Sequence, residues 1–366
     1  MTSRIVVFGA TGYTGRLVVE SLLAKGQRPL LAGRSHTGLR ALADPHGLPF
    51  QTADVTDPDT VRALVDPGDV LVSTVGPFSR FGHAAAAAAA EVGAHYLDST
   101  GEVDFVQEVR RRYSAQAAGN GATMVPAFGY DYVPGTLAGA VAAARAGTAA
   151  GRLSIGYFTV GSLRRGISGG TRATLAEGLA LPAAVWRAGS LQYTRMASRT
   201  HAFRIHGRVR RAFLATGTEV LFLPEAFADL GAVEVYNGWF PALSRIAGPL
   251  TWVTQKLERV PAGKRMLAAA AKQAGGSGGG PDAQERSKSL SHAVAELDGQ
   301  DGRPAVEVHV QGPNVYTLTG ELLAEGAMAL QQGKADGSGV LGPVQAFGLE
   351  GLTTLCASAG LTLASD

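Results

Sequence analysis

The chain opens on a short apolar run, Ile5-Val6-Val7-Phe8, and for its first third keeps alternating such runs with amphipathic stretches. Apolar runs predict strands at Arg4–Phe8, Pro29–Leu31, Pro49–Thr52, Val70–Val75, His95–Leu97 and Thr123–Val125. Between them the spacing predicts helices over Arg16–Ala24, Thr37–Ala43, Val61–Val65, Ala84–Ala90 and Val103–Ala118. Short strands that are apolar on both faces, each followed by a helix, are expected to form a parallel sheet with helices on either side.

Beyond Pro134 the rhythm changes. A helix over Pro134–Ala146 leads into longer strand-like stretches at Leu153–Val160, His201–Phe213 and Val220–Phe222. Two helical segments are expected between Pro241 and Lys272, and Gly275–Gly280 reads as a flexible loop. Ser291–Leu297 and Pro304–Gln311 form an expected hairpin across Asp298–Gly302. Helices follow near Thr319–Leu330 and Pro343–Ala359. Hairpin-linked strands suggest an antiparallel sheet, so the fold class expected is α/β: a Rossmann-type doubly wound parallel sheet joined to an α+β domain.

The strongest chemical signal sits between the first strand and the first helix, at Gly9-Ala10-Thr11-Gly12-Tyr13-Thr14-Gly15. Glycines three apart permit a tight turn and let backbone amides approach a pyrophosphate at the helix N-terminus. About 20 residues further on, a ribose-reading acid is expected when the 2′-hydroxyl is free. Here the sequence is Ala32-Gly33-Arg34-Ser35. A guanidinium pairs with a 2′-phosphate, and Ser35 can donate a further hydrogen bond. NADP(H) is therefore the expected cofactor, with Asp54 and Val55 near the adenine. Ser73, Thr74, Val75, Gly76 and Pro77 would lie near the nicotinamide ribose.

Composition narrows the rest. At 366 residues the chain exceeds what one core usually supports, and 46% apolar with 17% charged residues suits a buried globular protein. A net charge of +3, with no recognition motif, argues against nucleic acid as partner. The lone Cys356 excludes an internal disulfide and gives no metal cluster, so no metal is expected. Neither a leader of the secretory type nor a run of roughly 20 apolar residues stands out, so a cytoplasmic protein without an integral membrane segment is expected.

GATGYTG at Gly9–Gly15, AGR at Ala32–Arg34, TVGPFSRFG at Thr74–Gly82, HYLDSTGE at His95–Glu102 and FGYDYVPGTLAG at Phe128–Gly139 form an ordered set. It resembles the saccharopine-dehydrogenase-like oxidoreductases, in particular the short members that include trans-acting enoyl reductases. Weaker echoes occur at Ser168–Thr174, Tyr316–Glu321 and Gly339–Gly348. The resemblance implies a nucleotide domain over residues 1–130 and an inserted substrate or dimerisation domain over 131–330. Helices over 331–366 would pack back on the first domain. It further implies NADPH-dependent reduction of an activated double bond in an acyl or polyketide-like metabolite. Reduction of an imine or ketone is the alternative within the class, and a non-catalytic NADP(H)-binding regulator the alternative outside it. The small-molecule substrate has coenzyme A or an acyl carrier protein as candidate carriers, and a homodimer is the candidate assembly.

Where the family often has Gly-Phe-Asp-Ser, this chain has Gly129-Tyr130-Asp131-Tyr132. Tyr130 and Tyr132 are candidate proton donors to the substrate atom that gains negative charge. Asp131 is a candidate orienting group, though a cap for the helix at Pro134 is the preferred reading. His83 is a further candidate acid, with a plain first-turn helix residue as the alternative, and the same two readings apply to Glu102 at the start of the helix from Val103. No tyrosine has a lysine four residues later, which excludes the Tyr-x-x-x-Lys pair of short-chain dehydrogenases. The basic stretch Arg187–Arg211 is read as a solvated strand face, with phosphate or an acidic carrier surface as the alternative ligand. Tyr236, Trp239, Phe240 and Trp252 are candidates for an apolar pocket or for ordinary core.

Overall fold

The structure is a computed structural model that describes residues 3–147, 151–161, 181–239, 279–299 and 304–364. They fall into two compact units, Met1–Val133 with Tyr316–Gly360, and Pro134–Val315 with Leu361–Asp366. The chain thus leaves the first unit, builds the second and returns.

In the first unit the strands are β1 (Ile5–Phe8), β2 (Leu30–Gly33), β3 (Phe50–Thr52), β4 (Val70–Ser73), β5 (His95–Asp98) and β6 (Thr123–Val125). The helices between them are α1 (Tyr13–Ala24), α2 (His36–Ala43), α3 (Pro58–Arg62), α4 (Phe78–Phe81), α5 (His83–Val92) and α6 (Val103–Gly119). β1, β2 and β4 are buried along their whole length, which is why their sequences carry no polar alternation.

The second unit contributes α7 (Val133–Ala146), β7 (Arg152–Gly161), β8 (Pro182–Arg187), β9 (Ser190–Arg195), β10 (Thr200–Ile205) and β11 (Arg208–Ala215). It continues with α8 (Glu219–Ala226), β12 (Ala232–Asn237), α9 (Ala283–Arg286), β13 (Ser289–Asp298) and β14 (Pro304–Gly312). The chain then supplies α10 (Val315–Gln331), β15 (Gly339–Val340) and α11 (Pro343–Ser358) to the first unit, and ends with β16 (Thr362–Ala364) in the second.

The first sheet is parallel, in the order β15-β6-β5-β4-β1-β2-β3. Order therefore reverses between β1 and β4, and ligands of doubly wound sheets bind where the carboxyl ends of such strands part. One face carries Val6, Phe8, Leu71 and Tyr96 into a core with α5 and α6. On the other face α10 meets α1, where Lys25 pairs with Glu321 at 2.8 Å and Glu325 at 3.1 Å.

The second sheet is mixed and mostly antiparallel. Its order is β10-β11-β12-β7-β13-β14-β16, with β8 on β12 and β9 on β8. β12 and β7 are its parallel pair. Phe158, Phe203, Tyr236 and Val294 share one core with Ala183, Val185 and Met196.

Two expectations are corrected. Val220–Phe222 lies in helix α8, whose residues are apolar and buried on nearly every side, so the run shows no period. His201–Phe213 is two strands, β10 and β11, folded at His206 and Gly207, both with positive φ (49° and 71°). β12 was not expected as a strand because Glu234 interrupts its apolar run; that carboxylate is buried and paired with Arg187 and Arg199. The helices expected between Pro241 and Lys272, most of the Gly275–Gly280 loop and the Ser168–Thr174 echo lie outside the described residues.

Candidate cofactor and active site

At the mouth of the reversal, Gly9 leaves β1 with φ 89° and donates to the Ala32 carbonyl at 2.9 Å. Gly12 closes the turn on the Gly9 carbonyl, also at 2.9 Å, and serves as N-cap of α1 without any side-chain cap bond. The first-turn amides of a helix have no carbonyl one turn back to bond, so they favour an anion in front of them. No acid occupies the first turn of α1. Side chains are excluded from this cradle: a Cβ on Gly15 would lie 2.2 Å from the Gly9 oxygen, and one on Gly9 2.7 Å from the Thr74 hydroxyl. The space is shaped for backbone to meet a ligand, which fits a dinucleotide pyrophosphate.

The ribose corner lies one strand over. Gly33 ends β2, and Thr11 of the glycine turn lies close to both Gly33 and Gly38. Arg34 is exposed beside it. Ser35 caps α2 by accepting from the Gly38 amide at 3.1 Å, which leaves its own proton available to donate. Asp54 accepts from the Thr56 amide and hydroxyl at 2.9 and 2.8 Å. Those bonds, the amide first, and then the charge of Arg34 hold its carboxyl below the usual range. Val55 packs against the core beside it. The structure brings Gly9, Thr11, Gly12, Gly33, Arg34, Ser35 and Asp54 to neighbouring turns on one edge of the sheet.

The third turn follows β4. Ser73 ends the strand with its side chain fully buried, so its hydroxyl belongs to the sheet face and not to the turn. Thr74 ties the turn to the first one: its amide donates to Phe8 O at 2.9 Å, and its hydroxyl lies 3.1 Å from Phe8 O and 3.2 Å from Gly9 O. Val75 is half-buried against the core, while Gly76 is exposed and Pro77 half-exposed. At the far end, the two oxygens of Glu102 accept separately from the Phe78 amide (2.8 Å) and the Ser79 amide (2.9 Å).

Two acids organise this edge by accepting from backbone amides. Glu102 is one; Asp98, the last residue of β5, is the other. Asp98 is fully buried and its Oδ1 accepts from Thr100 N at 2.9 Å and Ala127 N at 2.8 Å. Burial drives its carboxyl up to about 6, against the pull of those two amides. In the sequence both acids fall within the HYLDSTGE motif at His95–Glu102, where Asp98 also closes the short strand run His95-Tyr96-Leu97.

The candidate acids are placed as follows. Tyr130 is buried, and its amide bonds the Thr319 hydroxyl at 3.1 Å. Tyr132 holds φ 102° and donates its phenol proton to Gly101 O at 2.7 Å, so that proton is already committed. Asp131 stands exposed between them and makes no hydrogen bond among the described residues, so it is not the expected cap. The chain turns at Tyr132, between Asp131 and the helix.

His83 opens α5 and faces α6, meeting Phe105 edge to face (5.0 Å between ring centres) and lying 3.5 Å from Glu108. Desolvation and Arg112 lower its pKa. None of these contacts reaches the glycine, Thr74 or Tyr130 turns, so His83 serves helix packing.

In the second unit, Arg187 and Arg199 converge on buried Glu234, the latter at 3.0 Å, and Tyr236 donates to it at 2.5 Å. Tyr236 thus belongs to a core network, while Phe240 and Trp252 lie outside the described residues. The solvated face expected for the basic stretch is confined to its later part. Arg204, Arg208 and Arg211 are exposed and form no ion pair among the described residues. Among those residues there is also no group of three His, Cys, Asp or Glu able to hold a metal, and no helix long and apolar enough to cross a membrane.

Residues 5–125 match the family described as saccharopine dehydrogenase NADP binding domain. A Mycobacterium tuberculosis protein, provisionally named a trans-acting enoyl reductase, is 39% identical over 181 residues, which cover 47% of this chain and 43% of that protein. A Mycobacterium bovis protein named trans-acting enoyl reductase is 39% identical over 140 residues, 36% of this chain and 34% of its own. The chain thus matches less than half the length of these curated relatives. Among solved structures, Saccharomyces cerevisiae saccharopine dehydrogenase (L-Glu forming) aligns over 99% of this chain and 100% of its own, with TM-score 0.64 and 11% identity. Legionella pneumophila homospermidine synthase in complex with NAD aligns over 100% and 92%, with TM-score 0.66 and 10% identity. At those identities the likeness is one of fold.

Proposed function

Because residues 5–125 are a domain of the saccharopine dehydrogenase NADP-binding family, we propose that the chain is an NADPH-dependent reductase of an activated carbon–carbon double bond in an acyl or polyketide-like metabolite. The observation that carries the reading is the side-chain-free mouth of α1, with exposed Arg34 standing where a free ribose would call for an acid. The choice of a double bond rests on the names of the mycobacterial relatives.

NADPH, when bound, supplies the hydride. The chain's own residues do the rest. The amides of the glycine turn receive the pyrophosphate, Arg34 and Ser35 grip the 2′-phosphate, and the Thr74–Pro77 turn shapes the nicotinamide side. Tyr130, buried in the turn that also carries Tyr132, is the candidate phenol to polarise a carbonyl conjugated with the double bond. Coenzyme A or an acyl carrier protein fits as carrier, because Arg204, Arg208 and Arg211 offer exposed cations, without an ion pair among the described residues, to a phosphate or an acidic surface.

Titration of NADPH and NADH against the protein and its Arg34→Ala variant tests the cofactor reading. NADPH binding should weaken by roughly 10–100-fold, as expected for a lost charged pair, and NADH binding should hardly change. Equal losses for both would remove the phosphate clamp. Turnover with a panel of an enone, an imine and a ketone tests the reaction: enone reduction supports it, reduction of another member alone reassigns the bond, and tight NADPH binding without turnover overturns the reductase.

A further inference from the structure

We propose that Glu102 is a positioning residue for the nicotinamide half of the cofactor, holding the turn between β4 and α4 by the backbone amides of Phe78 and Ser79. The inference rests on the NADP(H) reading above. The turn is fixed at two ends by different means. Its start is bound to the glycine turn through Thr74, whose amide and hydroxyl reach Phe8 O and whose hydroxyl also reaches Gly9 O. Its end is bound by the carboxylate of Glu102, one oxygen to each amide, at 2.8 and 2.9 Å. Val75, Gly76 and Pro77 span the interval between the anchors. These amides begin α4, so without Glu102 they would have no carbonyl one turn back.

Glu102 is itself held in place. Its amide donates to Thr100 Oγ1 at 3.1 Å, and Thr100 N donates to buried Asp98. The adjoining Gly101 carbonyl accepts the Tyr132 phenol. One segment, residues 98–102, therefore fixes both the turn after β4 and the turn carrying the two tyrosines. The turn after β4 belongs to the strand beside β1 across the order reversal, where the nicotinamide half of a dinucleotide crosses; the adenosine phosphate would lie on the other side, by β2. A defect at Glu102 should then be felt by one half of the cofactor and not by the other.

Glu102→Gln replaces one acceptor oxygen with an N–H donor, which faces an amide donor and opens that end of the turn. The affinities of NADPH (by fluorescence) and of adenosine 2′,5′-bisphosphate (by calorimetry) are measured for the native chain and the variant. NADPH affinity is expected to fall about tenfold, with the fragment's affinity unchanged. The fragment also reports that the domain is folded. Glu102→Asp, which keeps the carboxylate one methylene shorter, should fall between the two. Should Glu102→Gln lose fragment binding through misfolding, the same comparison on Glu102→Asp decides. Equal weakening of both ligands, or NADPH affinity at the native level, overturns the positioning role while leaving the cofactor assignment intact. Failure of the native chain to bind either ligand overturns both.

Discussion

His292 lies buried in β13, with Nε2 2.8 Å from His309 Nδ1, while His309 Nε2 lies 2.5 Å from Glu307. The carboxylate assigns a proton to His309 Nε2, so His309 Nδ1 accepts and His292 Nε2 donates. Burial, then the neighbouring His309, His206 and Arg210, drive the His292 pKa from 6.5 down to about 3. The sign follows from linkage. A group harder to protonate in the folded chain contributes its stability in full above pH 6.5 and loses it as pH falls toward 3, worth about 2 kcal/mol by pH 5. Asp98 pulls the other way. Its folded-state value is raised to about 6, so its contribution is complete below the usual carboxylate range and lost as pH rises through 6. His292→Gln keeps a donor for His309 and removes the titration. Thermal melts from pH 7.5 to 5 should show a fall in Tm for the native chain that is several degrees smaller in the variant. Parallel curves would mean that His292 does not set the acid response. Neither group's environment is legible in the sequence, because burial and partners come from strands and turns far apart in the chain.

Among the elements, the parallel strands were legible because full burial on both faces leaves short, uninterrupted apolar runs such as Ile5–Phe8. The glycine turn was legible because its spacing is a backbone requirement and needs no partner to be recognised. The same logic misread α8, where burial all round removes the period that separates helix from strand. It also passed over β12, whose charged Glu234 makes sense only once Arg187, Arg199 and Tyr236 are in place. The glycine turn gives the sharpest prediction at this scale. Gly15→Ala would set a methyl 2.2 Å from the Gly9 oxygen and 2.9 Å from Ala10 Cα, both backbone. Either α1 or the turn must move, at a cost of about 1–3 kcal/mol. NADPH binding should be lost together with stability. Gly119→Ala, with open space around it, is the control and should leave both unchanged. Native NADPH affinity in Gly15→Ala would show that the close approach of helix and turn is dispensable.

At the scale of the molecule, the first unit is assembled from two separated lengths of chain, although the family match ends at residue 125. The returning length is part of its core. Gly320 of α10 sits where a Cβ would lie 2.9 Å from Leu17, and Gly326 packs on Phe128 and Leu97. β15 extends the sheet beside β6, and Phe347 of α11 meets Phe128 edge to face, 5.6 Å between ring centres. Cutting the chain after residue 133 would uncover Leu17, Leu97 and Phe128, all of them buried. It would also remove both acids that pair with Lys25. Large apolar groups returned to water cost about 1.5–3 kcal/mol each, so three of them rival the whole stability of a typical domain. A fragment of residues 1–133 should therefore neither melt cooperatively nor bind NADPH. The same fragment joined through a flexible glycine-serine linker to residues 316–360 should recover both. Calorimetric melting of the two fragments, with and without NADPH, separates the outcomes. If residues 1–133 alone melt cooperatively and bind NADPH as the full chain does, the returning helices decorate a finished domain instead of completing it.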